Sequence, residues 1–126
     1  NCGDSTSILE QDLKFLNLPA HTDCMLWLWS GIMEISPNEL LPVLRNLRQQ
    51  LIPGGTIFIE TPEKIQFIGQ QLSNRFISYN TDWGHISAYF PEKSELKTRL
   101  HQAGFTSVRV FSYPVTYGRR VFYMAS

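Results

Sequence analysis

Three histidines occur in the chain, and one of them, His85, lies in a segment rich in aromatic residues. An imidazole titrates near neutral pH, so His85 could take a proton from a phenol or a hydroxyl group. The alternative is a structural histidine, and the sequence leaves both interpretations open. His21 and His101 are predicted to lie in a loop and on an exposed helix face. No Cys or His cluster has the spacing of a metal site, so no bound metal is predicted.

A second group of candidates ends a predicted strand over residues 23–29. Trp27, Trp29 and Ser30 stand where a parallel sheet opens its crevice, and strand periodicity predicts that the two indoles point the same way. Either one of them lines a pocket or both belong to the core. Glu34 follows; it could steer an amine or a hydroxyl, or be an ordinary surface carboxylate.

The elements that would position these residues are those of an α/β sheet. Residues 24–29 are apolar without alternation, which predicts a central parallel strand covered on both faces, with Cys24 buried. We therefore expect no disulfide framework, and we expect the protein to lie in a reducing compartment. Ser36, Pro37 and Glu39 form a capping box that opens a helix through Gln50.

The junction between this helix and the next strand is the clearest signal in the chain. Pro53 stops the helix, Gly54 and Gly55 allow a tight turn, and residues 56–61 are β-rich and mostly apolar. A helix followed directly by such a strand predicts an α-to-β connection in an α/β sheet.

The remaining residues predict a short strand at 7–11, an aromatic segment at 63–90 that is part helical, and a helix at 92–103 ended by Gly104. Strands at 107–113 and 120–125 suit a closing antiparallel pair. The aromatic residues of 63–90 are Phe67, Phe76, Tyr79, Trp83, Tyr89 and Phe90.

Four pieces of the sequence, in this order, resemble the C-terminal part of class I S-adenosylmethionine (SAM) methyltransferases. They are the Asp12-Leu13 loop ending in Pro19, the strand at 23–29, the Pro53-Gly54-Gly55 turn, and residues 84–91 leading to Gln102-Ala103-Gly104-Phe105. The resemblance implies a Rossmann-like sheet, SAM as cofactor and methyl transfer as the reaction.

The resemblance also implies roles for individual residues. Asp12 would accept a hydrogen bond from the adenine amino group and Leu13 would contact adenine; the plain alternative is a solvated turn aspartate beside a buried leucine. Residues 63–90 would form a lid over the acceptor, with His85 as base. Residues expected at the cofactor are Asp12, Leu13, Trp27, Trp29 and Ser30, and those expected at the substrate are Glu34, Tyr79, Trp83 and Tyr89.

The sequence departs from the family at its N-terminal side. The glycine-rich loop after the first strand and the acidic residue after the second are absent, and Cys2-Gly3-Asp4 is at most a remnant of that loop. The strand at 23–29 would lack its inner neighbour and leave an open edge. We therefore expect a missing N-terminal half or self-association. The alternative is a methyltransferase-like module that no longer binds SAM and acts as a partner-binding or regulatory subunit.

Composition narrows the remaining possibilities. The 126 residues suffice for one domain, residues 1–126, with 43% hydrophobic content. Formal net charge is zero and no basic run occurs, so a nucleic-acid partner is not expected. A small-molecule acceptor is expected, because an aromatic lid without a basic patch suits an enclosed apolar pocket. No signal peptide or apolar run of about 18 residues is visible, so a soluble, cytoplasmic protein without a membrane segment is expected.

Overall fold

The computed structural model describes residues 7–63, 70–71, 75–116 and 118–126. Within these ranges, two α-helices and seven strands follow one another, with short 3₁₀ turns at Leu13–Phe15 and Gly31–Glu34. The elements are α1 Pro37–Gln50, α2 Lys93–Gln102, β1 Thr22–Trp27, β2 Leu51–Pro62, β3 Gln70–Gln71, β4 Phe76–Thr81, β5 Gly84–Tyr89, β6 Val108–Val115 and β7 Gly118–Ala125.

The main sheet has the strand order β1-β2-β7-β6. Strands β1 and β2 are parallel and are connected through α1, whereas β7 runs antiparallel to both β2 and β6. The predicted α-to-β junction and the predicted closing antiparallel pair are both confirmed. Strand β2 begins at Leu51, earlier than predicted, because Leu51 already pairs with Thr22 of β1; the pairing is then irregular until Thr56 pairs with Cys24. Gly55 fits that stretch because an added Cβ would lie 3.0 Å from the Ile52 carbonyl oxygen.

Strand β1 corrects the prediction of a central strand covered on both faces. It lies at the edge of the sheet; Met25 and Trp27 pack toward the core, but Leu26 is 65% exposed and Cys24 is exposed rather than buried. The apolar run correctly predicted a strand. It could not show that the described residues leave the Leu26 face of that strand uncovered. The predicted strand at 7–11 is also wrong, since those residues have no regular secondary structure and Ile8 is 95% exposed.

Both helices pack on one face of the main sheet. Helix α1 begins at Pro37 as predicted, but the predicted capping-box bond from a backbone N–H to the Ser36 hydroxyl is not made: that hydroxyl donates to Glu39 Oε2 at 3.0 Å instead. Helix α2 ends at Gln102, just before the predicted stop at Gly104, whose φ is +101°. The core contains Leu40, Val43, Leu44 and Leu47 of α1, Leu96 and Leu100 of α2, and Ile57, Ile59, Val121, Tyr123 and Ala125 of the sheet.

The aromatic segment contributes a second, antiparallel sheet with the order β3-β4-β5. The predicted helical character is wrong for the described part of 63–90, while 64–69 and 72–74 lie outside the described residues. Ile77 and Ala88 bury one face of the β4–β5 hairpin in the core, and β5 packs beside the 3₁₀ turn Gly31–Glu34. The hairpin thus lies next to the carboxyl end of β1. Among the described residues, no helix is both long and apolar enough to cross a membrane.

Candidate functional site

A cleft of about 410 Å³ opens at the carboxyl ends of β1 and β2. Ligands of open α/β sheets bind at this end of the parallel strands, and the volume lies within the range of small-molecule sites. The walls are mostly apolar or aromatic, with one carboxylate and one guanidinium between them. The lining residues are Leu28, Trp29, Glu60, Tyr113, Val115, Arg120 and Phe122.

Strand register brings the polar residues of the cleft together. Glu60 lies opposite Phe122 across β2 and β7, and Arg120 lies opposite Tyr113 across β7 and β6. Alternate residues of a strand point to the same side, so all four share the sheet face opposite the helices. Glu60 Oε1 accepts hydrogen bonds from Tyr113 Oη at 2.5 Å and Arg120 Nε at 2.7 Å. This is a partly buried ion pair with side-chain exposures of 16% and 24% for Glu60 and Arg120.

The network fixes the protonation of its acidic members. Burial raises the pKa of the Glu60 carboxyl, but the hydrogen bonds from Tyr113, Arg120 and the Trp29 backbone outweigh it and lower the pKa below its ordinary value. The hydrogen bond to Glu60 in turn raises the pKa of the Tyr113 hydroxyl. At neutral pH, Glu60 is therefore an anion paired with Arg120, and Tyr113 is a neutral donor.

The chain leaves β1 through an unusual turn. Trp29 and Ser30 have φ values of +57° and +63°, in the left-handed region that non-glycine residues seldom occupy. The Trp29 N–H donates to Glu60 Oε2 at 3.2 Å, the Ser30 N–H donates to the Glu60 carbonyl at 3.2 Å, and Arg120 Nη2 donates to Ser30 Oγ at 2.8 Å. The Trp29 side chain lines the cleft and is 89% exposed.

Trp27 and Trp29 therefore do not share a face, because β1 ends at Trp27. The Trp27 indole packs against the core and over Gly31, where an added Cβ would lie 2.7 Å from Trp27 Nε1. Only Trp29 reaches the cleft. Glu34 ends the next 3₁₀ turn as an exposed carboxylate and does not line this cleft.

Asp12 and Leu13 lie in a loop held against α1. Asp12 Oδ1 accepts the Lys14 N–H at 2.9 Å and thereby caps the 3₁₀ turn, while its side chain stays half exposed. Leu13 packs against the core, and its carbonyl accepts a hydrogen bond from Asn46 Nδ2 at 3.1 Å. This geometry is that of a capping aspartate beside a packed leucine, and a contact of either residue with adenine stays a prediction.

His85 is held within the β4–β5 hairpin. Its Nε2 lies 2.8 Å from Ser78 Oγ, and its Nδ1 lies 3.0 Å from Asn80 Oδ1. Because the amide oxygen only accepts, the Nδ1–H group donates to Asn80, and Nε2 shares a hydrogen bond with the Ser78 hydroxyl. Both ring nitrogens are thus engaged by β4, an arrangement typical of a structural histidine. A role as base would require an acceptor to replace Ser78 at Nε2.

The other predicted substrate residues are dispersed over the hairpin. Trp83 is 94% exposed at its tip. Tyr89 is buried and donates to Glu95 Oε2 at 2.6 Å, so it ties the hairpin to α2; burial and the Glu95 carboxylate raise its pKa to about 12. The backbone of Tyr79 lies in β4, but its side chain lies outside the described residues.

Comparison with known proteins gives the fold. No protein-family model and no curated protein sequence matches the chain. Solved structures do, among them an S-adenosylmethionine-dependent methyltransferase from Clostridium acetobutylicum, with a TM-score of 0.67 at 10% identity over 92% of this chain. The chain has the class I methyltransferase fold. The predicted fold class is thereby confirmed.

Two other methyltransferases of this fold have named substrates. One is the 1,6-didemethyltoxoflavin-N1-methyltransferase of Burkholderia thailandensis, with a TM-score of 0.63 and 18% identity over 90% of this chain. The other is an amino pentose methyltransferase of calicheamicin biosynthesis from Micromonospora echinaspora, with a TM-score of 0.63 and 13% identity over 92% of this chain. The chain spans 62%, 47% and 63% of the lengths of these three methyltransferases, respectively.

Proposed function

We propose that the protein containing this chain transfers a methyl group from SAM to a small-molecule acceptor. The observation that carries the proposal is the cleft at the carboxyl ends of β1 and β2, in a chain with a methyltransferase fold. Its volume of about 410 Å³ and its apolar and aromatic walls suit a small organic molecule. Two of the similar structures are of enzymes named for small-molecule acceptors, which supports the same substrate class.

The residues present suit the demands of methyl transfer. The reaction is an in-line displacement on a sulfonium, so the protein must mainly align the reactants and exclude water. In the proposed site, Asp12 and Leu13 contact adenine, Trp29 and Ser30 lie between cofactor and acceptor, and the β4–β5 hairpin covers the acceptor. A base is needed only for an acceptor that loses a proton, and His85 is then the candidate in the hairpin.

The proposed SAM site requires residues that this chain lacks. No glycine-rich loop is present, and the chain spans 47% to 63% of the three methyltransferases. Strand β1 ends the main sheet of the described residues, so its outer backbone edge is suited to pairing with a further segment. We expect that segment to come either from residues that precede Asn1 or from a second copy of the chain, and to supply the contacts with the methionine end of SAM.

The test is SAM binding by the whole protein, including whatever its gene encodes ahead of Asn1. Calorimetric titration should give a micromolar Kd, and Asp12→Ala should weaken it several-fold, because one hydrogen bond to a neutral group contributes about 1 kcal/mol. Asp82→Ala, which removes another exposed aspartate at the hairpin turn, is the matched control and should leave the Kd unchanged. A folded whole protein that does not bind SAM would favour the alternative of a partner-binding or regulatory subunit.

A further inference from the structure

The turn at Trp29 and Ser30 is held by two residues of other strands. Left-handed conformations at two successive non-glycine residues persist only where surrounding contacts impose them. Glu60 binds both backbone N–H groups, one through its carboxylate and one through its carbonyl. Arg120 binds the Ser30 hydroxyl at 2.8 Å and the Glu60 carboxylate at 2.7 Å, so one guanidinium joins the turn to β2.

The cleft therefore combines aromatic side chains with an ion pair that carries no net charge. Trp29, Tyr113 and Phe122 line the cleft, and the charges of Glu60 and Arg120 offset each other within one ion pair. The cleft therefore offers flat π surfaces without net charge. Such surfaces favour offset stacking with another aromatic ring over a charged or a purely aliphatic molecule.

We propose that Glu60 and Arg120 are positioning residues that hold Trp29 as a wall of the cleft, and that the cleft takes a planar, uncharged aromatic or heteroaromatic ring. The identification of that ring as the methyl acceptor rests on the proposed function. The positioning of Trp29 and the preference for a planar ring do not, because they follow from the turn and the cleft themselves.

Ligand preference can be measured without SAM. We would label the indole nitrogens of the whole protein with ¹⁵N and titrate it with quinoxaline, an uncharged bicyclic heteroaromatic, and with cyclohexanol as the aliphatic control. Quinoxaline should shift the Trp29 signal saturably and clearly more than that of Trp83, which is 94% exposed where Trp29 is 89% exposed. Cyclohexanol should bind at least about tenfold more weakly. Equal shifts of both indoles, or none, would overturn the proposed aromatic site.

Positioning is tested with matched variants. Glu60→Gln and Arg120→Lys should move the unliganded Trp29 signal and raise the quinoxaline Kd about tenfold, since each removes charge-assisted or forked hydrogen bonds. Glu63→Gln and Arg119→Lys are the controls, because they change a separate network in which Arg119 Nε lies 3.1 Å from Glu63 Oε2. These two variants should change neither the Trp29 signal nor the quinoxaline Kd. Wild-type signal and affinity in Glu60→Gln would overturn the positioning role. If Glu60→Gln does not fold, Arg120→Lys decides.

A rescue distinguishes positioning from direct contact or general stability. Glycine adopts positive φ without a side-chain penalty, so Ser30→Gly added to Glu60→Gln should restore much of the quinoxaline affinity. Absence of rescue in a folded double variant would contradict the positioning role. Because SAM takes no part in these measurements, a protein that fails to bind SAM can still pass them, and the two proposals fail separately.

Discussion

The turn after β1 and the tip of the β4–β5 hairpin both expose a tryptophan, yet they are built differently. Trp29 is held by contacts between residues far apart in sequence, including Ser30 with Arg120 and Trp29 with Glu60. The hairpin network joins His85 to Ser78 and Asn80, all within the hairpin itself. A network that spans three strands of the main sheet fixes the turn relative to the sheet, whereas the hairpin network stabilises only its own two strands. The comparison favours the cleft as the functional region.

The largest expected effect is the difference in SAM affinity between the isolated 126 residues and the whole protein. The isolated 126 residues should not bind SAM with useful affinity, because micromolar binding corresponds to about 8 kcal/mol, which contacts with adenine alone should not supply. Calorimetric titration of the isolated residues beside the whole protein checks this, with at least a hundredfold difference in Kd expected. Clear micromolar binding by the isolated residues would mean that the hairpin and cleft already form a complete cofactor site.

The second prediction compares the packing of the two turns through their glycines. Gly31→Ala should destabilise the protein by about 1–3 kcal/mol, because its Cβ would lie 2.7 Å from Trp27 Nε1. Gly84→Ala at the hairpin meets no atom within 4 Å, so any cost comes from its φ of +130°.

Denaturant unfolding of the single and double variants measures both glycine effects. Trp27→Phe should relieve much of the cost of Gly31→Ala in a double-mutant cycle, while Trp83→Phe should relieve none of the cost of Gly84→Ala. Equal losses of stability from the two glycine substitutions, with no relief in either double variant, would show that the two turns do not differ in packing.

The sequence predicted the local elements of this fold better than their surroundings. The start of α1 at Pro37 and the end of α2 before Gly104 follow from residues at those positions. The exposed face of β1 does not, because an apolar run such as 24–29 looks the same whether its cover is present or lies outside these residues. The predicted strand at 7–11 failed because nothing in its own residues specifies a partner strand.

The candidate site was predicted in part. Trp29 was singled out from its position after a strand and does line the cleft, while Ser30 binds Arg120 beside it; a contact of either residue with the cofactor stays a prediction. Glu60 also follows a β-rich run, residues 56–59, so the sequence could have indicated it. Tyr113 and Arg120 could not, because their approach to Glu60 depends on the register of β6, β7 and β2. Left-handed φ values at Trp29 and Ser30 were also unpredictable, since neither residue type favours them.

The third prediction tests whether the hairpin is catalytic. Because β4 engages both ring nitrogens of His85, His85→Ala should lower kcat of the whole protein less than about tenfold and leave the pH profile unchanged. His101→Ala, which removes a histidine bonded to the Phe105 carbonyl, is the control. A fall of about 10² to 10⁴ in kcat, with loss of an ascending limb near an imidazole pKa, would instead identify His85 as a base.

The same hairpin is expected to act as a cover over the acceptor. Hydrogen exchange of the amides in 76–89 should slow when SAM and acceptor are both bound, because lids order on ligand binding. Exchange that ignores both ligands, in a protein with active methyl transfer, would contradict the lid.

The smallest expected effect is a local pH response at Trp29. The Glu60 pKa lies below its ordinary value of 4.5, since hydrogen bonds from Tyr113, Arg120 and Trp29 outweigh the opposing effect of burial. A carboxyl with a lowered folded-state pKa stabilises the fold fully above its unfolded pKa, and that stabilisation is lost as pH falls through the folded pKa. The Trp29 indole signal should therefore begin to move below about pH 4.5, as protonation of Glu60 weakens its hold on the turn.

Indole NMR spectra between pH 7 and pH 3 check this prediction. Glu63→Gln should titrate like the wild type at Trp29, since the Glu63 pKa is lowered by a different set of partners, Lys93 first among them. In Glu60→Gln, the Trp29 signal should already differ from that of the wild type at pH 7, and it should not change between pH 7 and pH 3. Trp83, outside the Glu60 network, should stay constant until global unfolding. If Trp29 and Trp83 move together, acid is unfolding the whole molecule, and the turn has no separate response to the charge of Glu60.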